Sequence, residues 1–144
     1  MTATIIRYIL SVLLCSFFIT VSATQLVLSN LNNFNLPPIT FAQRLDATLH
    51  DLINFGPTVM VIVALAYLIG FLVVWLLSKW WLNKSIWGFL AGLTSVPAAV
   101  ALVNKVVGID LLYITIHPTG WFILLMGSVL GSMLFYRNDV NEDN

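Results

Sequence analysis

Charge is what this sequence has least of. Six basic and six acidic side chains among 144 residues make up 8% of the chain, against roughly a quarter in a soluble domain. They cancel, so no basic face exists to hold phosphates, and nucleic acid is excluded as a partner on that ground. Cysteine is nearly absent. Cys15 stands alone inside an apolar run, with no disulfide mate and no companion metal ligand, and reads as a small buried hydrophobe. Phosphate loops, nucleophile elbows, haem motifs and CxxC pairs are all missing. So are the charged helix positions of small multidrug exporters and the patterned motifs of membrane proteases or lipid transferases. No cofactor is expected.

Apolar residues fill the space that charge leaves, at 60% of the chain. A soluble domain of this length has too high a surface-to-volume ratio to hide that much apolar surface. A bilayer removes the difficulty by acting as the solvent. A spanning helix needs about 20 mostly apolar residues, and four stretches approach that: residues 5–23, 58–77, 86–103 and 120–136. The second holds no charge from Thr58 to Ser78. The expected fold is an all-α integral membrane protein, one membrane domain over residues 1–144, with four transmembrane helices and one amphipathic interfacial helix.

The first stretch supports a second reading. Arg7 before an apolar run, with Val21-Ser22-Ala23 after it, also fits a signal peptide. Cleavage there would leave three helices. A lipoprotein is disfavoured, because Leu14 is too bulky for the position before a lipidated cysteine.

Positive residues in short loops set orientation. With four crossings, Arg7, Lys79, Lys84 and Arg137 fall on one side, and only Arg44 and Lys105 on the other. Both termini are therefore expected in the cytoplasm of a cell whose plasma (bacterial inner) membrane holds the protein, with residues 137–144 as a polar cytoplasmic tail. Trp75, Trp80, Trp81 and Trp87 bracket the lysine loop at headgroup level, and Tyr113 and Trp121 mark the opposite interface.

The outer segments carry most of the polar residues. Residues 25–35 show no strong period, and Pro37-Pro38 interrupts any helix there. Thr40 and Gln43 then stand at capping-box spacing, and Gly56-Pro57 supplies a stop. Over residues 41–55, Phe41, Leu45, Leu49, Leu52, Ile53 and Phe55 fall on one face. Gln43, Arg44, Asp46, His50, Asp51 and Asn54 fall on the other. This predicts a helix lying flat on the outer membrane surface, or over the ends of the spanning helices, with its apolar stripe turned inward. Residues 104–120 form the second outer segment, with Pro118 near the start of the last helix.

Helix approach in lipid favours small residues four apart. Ala66 and Gly70, Gly88 and Gly92, and Gly127 and Gly131 supply one such pair in each of the last three spans. They point to a tight bundle or to a tight oligomer. Pro97 interrupts the hydrogen-bond ladder of the third span, and Thr94, Ser95 or a neighbouring helix can serve the freed carbonyl.

No intramembrane charge is present, which argues against proton relays, ion-coupled transport and voltage sensing. The one polar constellation is external: Asp46 and His50, one helical turn apart, with Asp51 beside them, and Asp110 and His117 on the other outer segment. Asp46, His50 and His117 suit zinc or an acid–base pair in residue type. An ordinary exposed i,i+4 pair accounts for Asp46 and His50 equally well. The expected role is a non-enzymatic structural or accessory component of a membrane, acting through helix packing as a homo-oligomer or in a larger membrane complex. A small transporter or channel-forming oligomer, and a membrane enzyme with its site at the outer interface, are the alternatives.

Overall fold

The computed structural model describes residues 2–31, 38–77, 84–107 and 113–136, with side chains near several of these ends excepted. Every element among them is helical: α1 (Thr2–Leu31), α2 (Phe41–Asn54), α3 (Gly56–Leu77), α4 (Lys84–Val107), a 3-10 turn (Tyr113–Ile116) and α5 (Pro118–Tyr136).

Three helices are long and apolar enough to cross a membrane: Thr4–Leu31, Gly56–Leu76 and Pro118–Phe135. A shorter apolar stretch, Leu90–Lys105, lies within α4. The lysine-loop tryptophans Trp80, Trp81 and Trp87, Asp110 and the tail 137–144 lie outside the residues whose side chains are described.

Local chemistry explains the boundaries. Thr40 caps α2 through the Gln43 N–H, and the Gln43 side chain accepts from the Thr40 N–H, closing the capping box. At the other end Phe55 donates its N–H to Asp51 O at 2.8 Å. Its carbonyl then accepts from Thr58 and Val59, so the single residue Phe55 separates α2 from α3. Pro57 falls in the first turn of α3, where its missing N–H costs nothing. Pro118 opens α5 in the same way.

Two features depart from the sequence expectation. First, α1 runs on through residues 24–31, although the sequence shows no strong period from residue 25 onward. Contacts with α2, described below, hold this extension. Second, the hydroxyls beside Pro97 serve other carbonyls than the one proline frees. Thr94 donates to Leu90 O at 3.0 Å and Ser95 to Gly92 O at 3.3 Å.

The main helix pairs form a closed circuit: α1 against α3, α3 against α4, α4 against α5, and α5 against α1. Val12, Cys15 and Ile19 of α1, Val59, Val63 and Tyr67 of α3, Val96 and Val100 of α4, and Leu124 of α5 fill the centre. Residues 5–23 thus supply one wall of the core, with Val21, Ser22 and Ala23 in the middle of an unbroken helix. At the α4–α5 end, Asn104 donates to Thr115 Oγ1 at 3.0 Å, and the Trp121 indole N–H to Thr115 O at 3.1 Å.

Polarity is distributed opposite to a soluble bundle. Ser11, Ser16, Thr20, Ser128 and Ser132 are buried, while Ile5, Ile9, Phe17, Val61, Leu65, Ile69, Leu72, Phe122 and Met133 lie exposed.

Candidate functional site

The most developed polar site joins the upper end of α1 to α2. In α2, Arg44, Thr48 and Asp51 recur at spacings of four and three, so they share one face. The Gln25 side chain donates through Nε2 to Thr48 Oγ1 at 3.0 Å, and Thr48 donates to Arg44 O at 2.7 Å. The Arg44 guanidinium donates back to Gln25 Oε1 at 3.1 Å, closing a ring. One turn further, the Thr24 hydroxyl donates to Asp51 Oδ2 at 2.8 Å and lies 3.0 Å from Thr20 O. Thr24 and Thr48 are buried. An uncompensated polar group there would cost about 1–3 kcal/mol, so the matched donors and acceptors define how α2 docks.

This docking corrects the two-faced reading of α2. Arg44 and Asp51 turn toward α1, while Gln43, Asp46, His50 and Asn54 stay exposed. Phe41, Leu45, Leu49 and Ile53 are also exposed, Phe41 at 80%. Only Leu52 of the apolar set is half-buried within α2. The helix therefore has three sectors, one docked and polar, one free and polar, one free and apolar. The periodicity of the sequence resolves two.

The proposed His–carboxylate constellation has no such geometry. The exposed His50 ring faces Asn54 Nδ2, at 3.2 Å from Nδ1 and 3.3 Å from Nε2, and not Asp46. His117 is exposed at the bend before α5, and its carbonyl accepts from the Gly120 N–H at 3.0 Å. Among the described residues, no group of three or more His, Cys, Asp and Glu side chains is placed to hold a metal ion.

The small residues singled out for packing sit in the seams of the bundle. A Cβ on Gly70 would lie 2.9 Å from Ser95 Cβ, and one on Gly127 would lie 2.9 Å from Ile19 Cγ1. On Gly92 it would overlap Ser132, and on Gly131 the Tyr67 hydroxyl. Ala66 is buried in the core. Gly88 lies outside the residues whose surroundings are described. The Ser128 hydroxyl donates to Gly92 O across the α4–α5 seam.

Beneath the α1–α2 junction a row of hydroxyls continues into the bundle. Ser16, Thr20 and Thr24 follow one face of α1, and all are buried. Ser16 donates to Leu13 O at 3.1 Å. Among the described residues, Thr20 Oγ1 has no hydrogen-bond partner. Deeper still, the Tyr67 hydroxyl donates to Ser128 O at 2.7 Å, and Cys15 is buried in the same core. Sequence reasoning passed over Thr20, Thr24, Gln25 and Thr48. The four-residue spacing of Ser16, Thr20 and Thr24 is a signal for Thr20 and Thr24; no comparable pattern marks Gln25 or Thr48.

No family model, no curated protein and no solved structure matches the chain.

Proposed function

We propose that the chain is a multi-pass helical protein of a plasma membrane, the inner membrane in a bacterial cell, with a non-enzymatic structural or accessory role. The observation that carries this reading is the inverted polarity of the bundle, with hydroxyls inside and large aliphatic and aromatic side chains outside. In water such a surface would drive aggregation, whereas in lipid it is the solvated surface.

Dimensions agree with this reading. The 30 residues of α1 span about 45 Å at about 1.5 Å each, against about 30 Å of hydrocarbon. Its upper end stands clear of the acyl region and carries α2 at headgroup depth, with the stripe Phe41, Leu45, Leu49 and Ile53 turned to lipid. On this reading α4 makes the fourth crossing, and the distribution of positive residues supports both termini in the cytoplasm. Gly70, Gly92, Gly127 and Gly131 face neighbouring helices of the same chain, so a homo-oligomer or a larger membrane complex would use the outer faces of the bundle. Purification in mild detergent, followed by identification of co-purifying proteins, tests the accessory role. A protein that purifies alone at native abundance and leaves cells unaffected when deleted would overturn it. Cysteine-accessibility labelling tests orientation. Position 32 should react from outside intact cells, and position 83 should not.

A second reading, a small transport unit, is favoured by one observation. The buried row Ser16, Thr20 and Thr24 leads from Asp51 into the bundle, with Thr20 Oγ1 unsatisfied. Ion or solute flux in proteoliposomes, abolished by Thr20→Val, would support it in place of the first.

A further inference from the structure

The docked seam of α2 leaves two opposite charges without counter-charges. Arg44 and Asp51 are both half-buried, and each meets neutral groups alone. Arg44 Nη1 donates to Gln25 Oε1, and Asp51 Oδ2 accepts from the Thr24 hydroxyl. Among the described residues neither forms an ion pair, and Asp51 Oδ1 and the remaining guanidinium N–H groups have no side-chain partner. Charges held by neutral partners still attract an opposite charge. The surface between them is already satisfied, since Gln25 Nε2 bonds Thr48 Oγ1 and Thr48 bonds Arg44 O. Two helical turns separate Arg44 from Asp51, so their Cα atoms lie on nearly one line along α2, about 10 Å apart. Around the helix the apolar stripe begins beside that line. Phe41 and Leu45, both exposed, fall within about 100° of Arg44 at about 100° per residue.

We propose that this line of α2 binds the phosphoethanolamine headgroup of a bilayer phospholipid, with the phosphate on Arg44 and the ammonium on Asp51. The inference rests on the membrane reading above and names a ligand for its outer surface. Charge decides the class. An anion alone would leave Asp51 without a counter-charge, and a lone cation would leave Arg44 without one. A zwitterion meets both. Hydrogen bonding decides the two ends. The planar guanidinium fork matches phosphate oxygens. Asp51 Oδ1 is an acceptor, so the cation facing it must donate. A primary ammonium does so, and the quaternary ammonium of a choline headgroup has no N–H to give. The stripe decides the source. A headgroup seated on the two charges brings its acyl chains down beside Phe41 and Leu45, whereas a soluble zwitterion makes no use of them.

The test uses the full-length protein in mild detergent, titrated with phospholipids of identical acyl chains that carry ethanolamine, choline or glycerol headgroups. Native mass spectrometry counts the lipid retained. The ethanolamine lipid should be retained several-fold over the other two. Asp51→Asn keeps an acceptor for Thr24 and should bring the ethanolamine lipid down to the level of the choline lipid. Arg44→Gln should weaken all three. Asp46→Asn, the same change of charge on the exposed face, should leave the preference intact. Amide exchange across residues 41–54 reports whether each variant keeps α2 docked, and the preference of the unaltered protein remains a test where a variant undocks. Equal retention of the three lipids, or an unchanged preference in a docked Asp51→Asn, overturns the site while the membrane reading stands. Competition by water-soluble glycerophosphoethanolamine at the same concentration as the lipid would assign the site to a soluble zwitterion and overturn the proposal. Failure of the protein to insert into vesicles of any of these lipids would overturn the membrane reading itself.

Discussion

The Tyr67 hydroxyl donates to the carbonyl of Ser128 at 2.7 Å, reaching from α3 to α5 across the circuit of helices. It fills the space above Gly131, where a Cβ would overlap it. Tyrosine and glycine are thus two halves of one contact. Gly131→Ala should destabilise the bundle by about 1–3 kcal/mol through overpacking, and Tyr67→Phe by about 1 kcal/mol through the lost bond. Because Tyr67→Phe removes the nearest of the atoms that Gly131→Ala would strike, leaving the ring carbon Cζ at 2.9 Å and Ser11 O at 3.0 Å, the double variant should cost somewhat less than the sum. Thermal unfolding in detergent measures the cycle. Simple additivity would show that the contact is absent.

The glycines should differ among themselves. Gly92→Leu should prevent assembly, since even a Cβ there overlaps Ser132. Gly56→Ala should be neutral or stabilising by up to about 1 kcal/mol, because its Cβ would sit an ordinary 3.9 Å from Asp51 O and alanine favours the helix. Size-exclusion profiles and melting temperatures report both. Equal behaviour of the two variants would contradict the packing described.

The α1–α2 seam predicts a split among neighbouring residues of one helix. Asp51→Ala removes the acceptor of Thr24 and should loosen α2 by about 1 kcal/mol. Amide exchange across residues 41–54 should then quicken. His50→Ala, on the exposed face, should stay within about 0.5 kcal/mol. Spin labels along α2 should report three environments: lipid at 41, 45, 49 and 53, water at 43, 46, 50 and 54, and immobilised contact at 44, 48 and 51. A profile with only two environments would favour the simpler surface helix.

Thr20→Val should stabilise the protein. Its buried hydroxyl has no partner among the described residues, and an unsatisfied group of this kind costs about 1–3 kcal/mol, while valine keeps nearly the same shape. A lower melting temperature would mean that the hydroxyl is satisfied by a bound species, such as an internal water.

Much of this molecule is legible in its residue order. The lengths of the apolar runs predict α3 and α5 closely, because one helical turn crosses a known depth of hydrocarbon. Thr40 and Gln43 predict the start of α2 to the residue, since a capping box is a local device. The small-residue pairs mark helices built for close approach. Residue order does not say which surface they approach, and it missed the extension of α1 past Ala23, because Thr24 and Gln25 are held by partners some twenty residues away. The rotation of each helix about its own axis was decided only in three dimensions. Hydropathy separates apolar from polar, but lipid and protein interior are equally apolar, so it cannot tell the face of a helix that meets a neighbour from the face that meets a membrane. That choice falls to directional contacts, Thr24 with Asp51, Gln25 with Thr48, Tyr67 with Ser128, whose geometry exists only when the helices are assembled.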